Sequence, residues 1–316
     1  NNKESLDNKY CNGFFNEISY GEHFEGVYIN NNSNIFIASS NLTGKKHDGF
    51  ITKYQSFDDV PSKPLLSLNP EFGGCSNLVT TNYNKIICGF DSGHVLVLNQ
   101  ELEEDGCVAD HDDQITDLSV SKLHGTTFLS SSMDLSIIYW DLATCFPTRH
   151  LPNADSSPIW NVDFSFQDDN LFLSCSDHCN ILSWDLRLSK PATNFISMKS
   201  IPSCLCWSQK DQSKFVVGTN TGHLFMFDSR NPGQEITSFQ VSLNRLHRIK
   251  NVFNGSNLAI CCDESNLYVY QFEQLNLVHK DSLHENWIRD FCESNGHIYS
   301  VGRDTKFVCH AQSTAL

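Results

Sequence analysis

Seven short hydrophobic hairpins recur along this 316-residue chain at intervals near 43 residues. A unit that small cannot bury a face alone, so the chain is confined to folds in which similar units stack or close into a ring. The residues that close the hairpins are Tyr54, Leu98, Trp140, Trp184, Phe227 and Tyr270, with a last one at Cys309 or His310. Gaps of 44, 42, 44, 43 and 43 residues separate the first six. Ahead of each stands a turn signal with Asp or Asn: Asp48-Gly49, Asp91-Ser92-Gly93, Asp134, Asp177, Asn220-Thr221-Gly222, Asp263 and Asp304. Asx and Gly tolerate the left-handed backbone of a tight hairpin turn. The flanking runs, such as Thr127-Phe128-Leu129-Ser130 and Ile137-Ile138-Tyr139-Trp140, are rich in β-branched and aromatic residues that suit a pleated surface.

The third unit carries His111, Ser130, Asp134 and Trp140 at the spacing of the tetrad that marks WD-repeat blades. In such a tetrad the polar groups hydrogen-bond in a chain to the indole N–H, which makes the quartet structural. Reading it as a Ser/His/Asp hydrolase site lacks an oxyanion hole. The expected fold is therefore all-β, a seven-bladed WD-repeat β-propeller filling residues 1–316 as a single domain. Blades are expected at 21–70, 71–109, 110–152, 153–198, 199–243, 244–283 and 284–316. Residues 1–20 form an extension whose Cys11–Ile18 stretch is expected to pair with the last blade and close the ring, because an open sheet edge is an aggregation hazard.

Net charge is −15, which argues against direct nucleic-acid binding and admits basic partners. Thirteen scattered cysteines fit free buried thiols in a reducing compartment. The first residues lack a charged-then-apolar pattern, and no run approaches the roughly 18 apolar residues of a membrane helix, so cytoplasm and nucleus are the expected locations. No nucleotide-binding or zinc-protease motif occurs, and no cofactor is expected. Cys175, Asp177, His178 and Cys179 lie close in sequence, but hairpin alternation would point them to different faces, against a metal site. Carboxylates converging on the central channel, which a propeller hydrolase would need, are not expected from the strand ends.

Three charged groupings remain. Arg245, His247, Arg248 and Lys250 form a basic cluster expected in the connection into blade six, read as a solvated or ion-paired patch rather than a phosphate site. Asp110, Asp112 and Asp113 bracket His111 and are expected near Asp91 on one face, able to receive a basic peptide. Arg187 and Arg230 each follow a WD-type Asp by two residues. That pair resembles the Arg-containing box of cullin-RING ubiquitin ligase substrate receptors, the alternative functional reading.

Several segments resemble the WD-repeat subunits of the methylosome, the partners of the type II (symmetric) protein arginine methyltransferase. The densest match runs through Phe172–Ser176, Ile181–Arg187 and Lys190-Pro191-Ala192; others are Ala38–Gly44, Asp91-Ser92-Gly93, His111-Asp112-Asp113 and His284–Asp290. The resemblance implies a non-catalytic scaffold that presents Arg-rich substrates such as histone and splicing-factor tails, in a hetero-octamer with the enzyme at its core. It implies an enzyme-contacting surface at Lys45, His47, Asp91 and Trp287. Well-known members carry a Trp in the first-blade loop where this chain has His47, so more of the aromatic anchoring would fall to Trp287.

Overall fold

The computed structural model describes residues 22–43, 46–188 and 192–312. Its strands form seven antiparallel sheets in chain order. Blade one holds β1 (Glu22–Ile29), β2 (Ile35–Thr43), β3 (Lys46–Tyr54) and β4 (Leu66–Leu68). Blade two holds β5 (Cys75–Thr80), β6 (Ile86–Phe90), β7 (His94–Leu98) and β8 (Glu104–Ala109). Blade three holds β9 (Ile115–Val120), β10 (Thr127–Ser132), β11 (Ile137–Asp141) and β12 (Pro147–Leu151). Blade four holds β13 (Ile159–Phe164), β14 (Leu171–Ser176), β15 (Asn180–Asp185) and β16 (Ala192–Ser197). Blade five holds β17 (Pro202–Trp207), β18 (Lys214–Thr219), β19 (His223–Asp228) and β20 (Glu235–Gln240). Blade six holds β21 (Leu246–Val252), β22 (Asn257–Cys262), β23 (Leu267–Gln271) and β24 (Leu277–Asp281). Blade seven holds β25 (Ile288–Ser294), β26 (His297–Gly302) and β27 (Phe307–Gln312). One 3-10 turn, Phe57–Asp59, is the helical element among the described residues.

The first strand of each blade is innermost. β1 touches β5, β5 touches β9, and so on through β13, β17, β21 and β25, which meets β1 again. The ring is a seven-bladed β-propeller. Blade seven has three strands among the described residues; the Cys11–Ile18 stretch expected beside it lies outside them.

Alternation along the strands explains how a ring of thin sheets acquires a core. Successive side chains point to opposite faces, so each strand serves two seams. In β10, Phe128 packs toward blade two while Leu129 packs toward blade four. In β11, Ile138 and Trp140 join the first of these seams and Ile137 the second. The buried apolar residues accordingly fall into seven clusters, one for each pair of adjacent blades. Burying one Phe, Leu or Ile contributes about 1.5–3 kcal/mol, so each seam outweighs any exposed ion pair at the rim, worth about 0–1 kcal/mol.

Two local predictions need correction. Asp48-Gly49 is not a turn: Asp48 pairs with Asn41 and Gly49 with Ser40 inside a longer ladder. Strands β2 and β3 have 9 residues each against 6 and 5 in β10 and β11. At ~3.3 Å per residue the surplus carries the hairpin about 10 Å beyond the face on which the other hairpin turns open. The Arg245–Lys250 cluster is ion-paired rather than solvated, and not in a connection: His247, Arg248 and Lys250 lie in the innermost strand β21, where Arg248 pairs with Asp117 and Lys250 with Asp290.

Candidate functional site

The connections into the inner strands and the turns between second and third strands open on one face. The long first-blade hairpin sets His47 against the Asp91 turn of blade two, with His47 Nδ1 2.7 Å from Asp91 Oδ2. Gly74 makes room for the pair: a Cβ there would lie 2.5 Å from Asp91 Oδ2 and 2.6 Å from the His47 ring. Burial raises the Asp91 carboxyl above its usual range although His47 pulls it down, and Glu25 and Asp113 push it further up. These two residues are therefore partners of each other at the surface. Lys45 lies outside the described residues.

Blade seven supplies the aromatic group. Trp287 is 37% exposed, and the Arg303 guanidinium lies 4.8 Å from its ring centroid, a cation–π contact that holds the indole at the surface. Two residues on, Arg289 Nε donates to Glu25 Oε2 at 2.6 Å, and Ser40 Oγ donates to Glu25 Oε1 at 3.2 Å. Glu25 thus joins blade seven to blade one, and its charge is felt at Asp91. Trp287, Arg289, Glu25, Asp91 and His47 trace one arc over blades seven, one and two.

Acidic residues continue the arc onto blade three. Asp110, Asp112 and Asp113 are exposed. Gly93, at φ +80°, closes the Asp91 turn, and a Cβ on it would meet His111 O at 2.3 Å and Asp113 O at 3.1 Å. The turn is pressed against the connection that carries the acids.

Beneath them, His111 Nε2 lies 2.7 Å from Ser130 Oγ, His111 Nδ1 lies 2.9 Å from Asp134 Oδ2, and Trp140 Nε1 donates to Ser130 Oγ at 2.8 Å. His111, Ser130 and Trp140 are buried. Hydrogen bonds from His111, Ser136 and the Asp112 amide hold the Asp134 carboxyl well below its ordinary range, overcoming the opposing effect of burial. Blade seven repeats the arrangement with a substitution. His284 Nε2 meets Ser300 Oγ at 2.7 Å and His284 Nδ1 meets Asp304 at 2.9 Å, while His310 fills the indole's place beside Ser300. The structure thus chooses His310 over Cys309 as the closing residue. The other His310 nitrogen rests on Asp281 at 2.7 Å. In blade four Trp184 donates to Ser174, but Asp155 and His178 have exchanged the places of acid and imidazole. The Ser-to-Asp step of four and Ser-to-closing step of ten residues recur from blade three to blade seven, a signal that could have revealed this second chain of bonds.

The channel overturns one expectation. A β-bulge interrupts each inner strand just before or beside Gly26, Asn77, Asp117, Asn161, Cys204, Arg248 and Asp290, and Asn77, Asp117, Asn161 and Arg248 of this layer line the channel. Asp163 and Glu25 are also buried, so carboxylates do converge there. They stitch seams. Asp117 accepts from Asn77 of blade two, from Asn161 and the Val162 amide of blade four, and across the axis from Arg248 of blade six at 3.0 Å. Asp290 accepts from the Val27 amide of blade one and from Lys250 of blade six. A buried acid so fully supplied with donors is a clasp between blades.

Arg187 forks onto its own Asp185 and also reaches Asp168 at 2.9 Å, and Arg230 forks onto Asp228. Both remain largely exposed. Cys175 is buried in the seam to blade five, while Cys179 sits half-buried on the turn, and no three metal-ligating side chains converge among the described residues.

A seven-bladed ring with an indole-capped tetrad and a polar, partly aromatic face defines a WD-repeat β-propeller of the scaffold or adaptor kind. The chain is similar to methylosome protein WDR77 of Xenopus laevis, 26% identical over 288 residues that span 87% of this chain and 85% of that protein. It is also similar to protein sof1 of Schizosaccharomyces pombe, 25% identical over 73% of the chain and 50% of that protein, and to E3 ubiquitin-protein ligase COP1 of Arabidopsis thaliana, 25% identical over 48% of the chain and 22% of that protein. No protein-family pattern matches the chain.

Proposed function

We propose that this propeller is the non-catalytic, substrate-presenting subunit of a symmetric (type II) protein arginine methyltransferase complex, working in cytoplasm and nucleus. The observation that carries this reading is similarity to a methylosome protein along nearly the whole ring rather than in isolated repeats. The arc of Trp287, Arg289, Glu25, Asp91 and His47 supports it, since an exposed aromatic flanked by charges of both signs has the chemistry of a docking patch. Trp287 is the anchor in this reading, and the His47–Asp91 pair and Lys45 form the polar rim. Asp110, Asp112 and Asp113 then lie beside the docked enzyme, where they attract the Arg-rich tails of histones or splicing factors. The expected assembly is a hetero-octamer with the enzyme at its centre.

The test is to mix the protein with the type II methyltransferase of the same organism and measure the product mass by light scattering. A stable large complex is expected, lost when Asp91→Arg and Trp287→Ala are combined. Absence of any complex with the unaltered chain sinks the proposal. A second reading, substrate receptor of a cullin-RING ligase, draws on Arg187 and Arg230 and on the similarity to a ubiquitin ligase over about half the chain. It requires adaptor binding that falls when both arginines become Ala, whereas each guanidinium is already engaged by its own Asp.

A further inference from the structure

We propose that the end of the central channel opposite the docking face is a binding site for a small phosphate-type oxyanion. A cavity of about 310 Å³ lies there, floored by the bulge-layer residues Asn77, Asp117, Asn161 and Arg248 and walled by the far ends of the inner strands. That volume falls within the lower range of small-ligand pockets. In a chain of net charge −15, its wall gathers three cations, Lys122, Arg248 and Lys250, which pair with Asp163, Asp117 and Asp290 respectively.

Counting hydrogen bonds decides what such a chamber attracts. Its carboxylates Asp117 and Asp163, and Asp290 beside them, are already supplied. Asp117 accepts four hydrogen bonds, two on each oxygen. Asp163 accepts from Ser119, from Lys122 at 3.1 Å and from the Trp207 amide. Asn251 spends both amide N–H groups, on Trp207 O and Cys206 Sγ, and Asn161 donates one to Asp117.

The cations, by contrast, keep donors in hand. Arg248 donates through Nη1 to Asp117, while its buried Nε lies 3.6 Å from Asp290 Oδ1 and closes no hydrogen bond. Lys122 makes one ion pair with three protons to offer, and Lys250 uses two of its three. Acceptors are exhausted while charged donors remain, which is the composition of an oxyanion site and the opposite of a cation site.

The site lies away from Trp287 and Asp91 and uses none of the residues assigned to the methyltransferase, so its fate is independent of that reading. Isothermal titration calorimetry with inorganic phosphate, in chloride buffer of matched ionic strength, reads it directly. Saturable binding of one phosphate per chain is expected, weakened at least tenfold in Lys122→Gln. Lys122 stands at the chamber's rim, so its replacement leaves the Asp117 clasp intact. Arg248→Gln, checked for fold by circular dichroism, is expected to abolish binding. Phosphoserine titrated in parallel separates the sources: stronger binding than inorganic phosphate assigns an esterified group, weaker binding assigns the free ion, and both support the site. No saturable heat with either probe, or equal affinity in wild type and both variants, overturns it.

Discussion

Ser130 shows how much one hydroxyl can hold. It receives the Trp140 indole N–H and sits 2.7 Å from His111, all in the seam between blades two and three. Replacing Ser130 by Ala strands two buried nitrogens, and an unmet buried polar group costs about 1–3 kcal/mol. Ser130→Ala is expected to lower the free energy of unfolding in urea by about that much. Adding Trp140→Phe should cost less in the Ala background than in the wild type, since one orphaned donor is then gone. Blades two, five and six dispense with the arrangement, placing Cys88, Val217 and Ile260 where blade three has Ser130. At these places an apolar side chain satisfies the seam without any polar partner, which is why degenerate repeats coexist with a regular ring. This much was legible: the residues of the blade-three tetrad were readable from spacing alone. The exchange of Asp155 and His178 in blade four was not, because a swapped pair keeps the two groups 3.7 Å apart while erasing the sequence pattern.

At the scale of the element, the hairpin turns share one demand that the sequence meets unevenly. The third turn residue has positive φ in five of the blades: Gly93, Leu135, Cys179, Gly222 and Thr305. Glycine adopts that backbone freely, whereas an L side chain is disfavoured by roughly 1–2 kcal/mol. Cys179→Gly is therefore expected to stabilise the protein by up to about 1 kcal/mol, visible as a higher urea midpoint with an unchanged m-value. Turn signals in the other blades were readable as Asx and Gly. The first blade was misread because Asp48-Gly49 has turn composition but lies within a ladder that continues to the pair Thr43 and Lys46. Composition marks where a turn is permitted, and cross-strand pairing decides where the chain reverses. That difference positions the candidate site, because the extended hairpin brings His47 to Asp91.

For the whole molecule, pH is the sharpest probe of how the ring is held. Burial lowers the pKa of His247 and His284 below the ordinary imidazole value. The unfolded chain therefore binds protons there first, and stability begins to fall as pH drops below about 6.5. Asp134, Asp281 and Asp304 have carboxyls held below their usual range by imidazole partners, against the effect of burial. Their stabilisation is complete above about pH 4 and is lost as pH falls through the depressed folded values. Asp91 and Asp117 are raised and act in the opposite sense. Two stages of acid destabilisation are expected in urea midpoints measured from pH 8 to pH 3, the second shallower in Asp304→Asn. A single stage confined below pH 4 would contradict the assignment of neutral buried imidazoles.

The sequence by itself determined the repeat, and with it the all-β ring, because period-two alternation and recurring turn residues are local and survive without knowledge of neighbours. It also marked Asp91 and the acids around His111 as sharing one face, which follows from strand direction, whereas Trp287 was marked by the resemblance. Only the tertiary structure decided that His47 spends itself on Asp91, that Glu25 and Arg289 join blade seven to blade one, and that Arg248 spans the channel to Asp117. Those contacts join residues from separate blades. Their partners are chosen by the curvature of the closed ring, a property that no single 43-residue repeat contains.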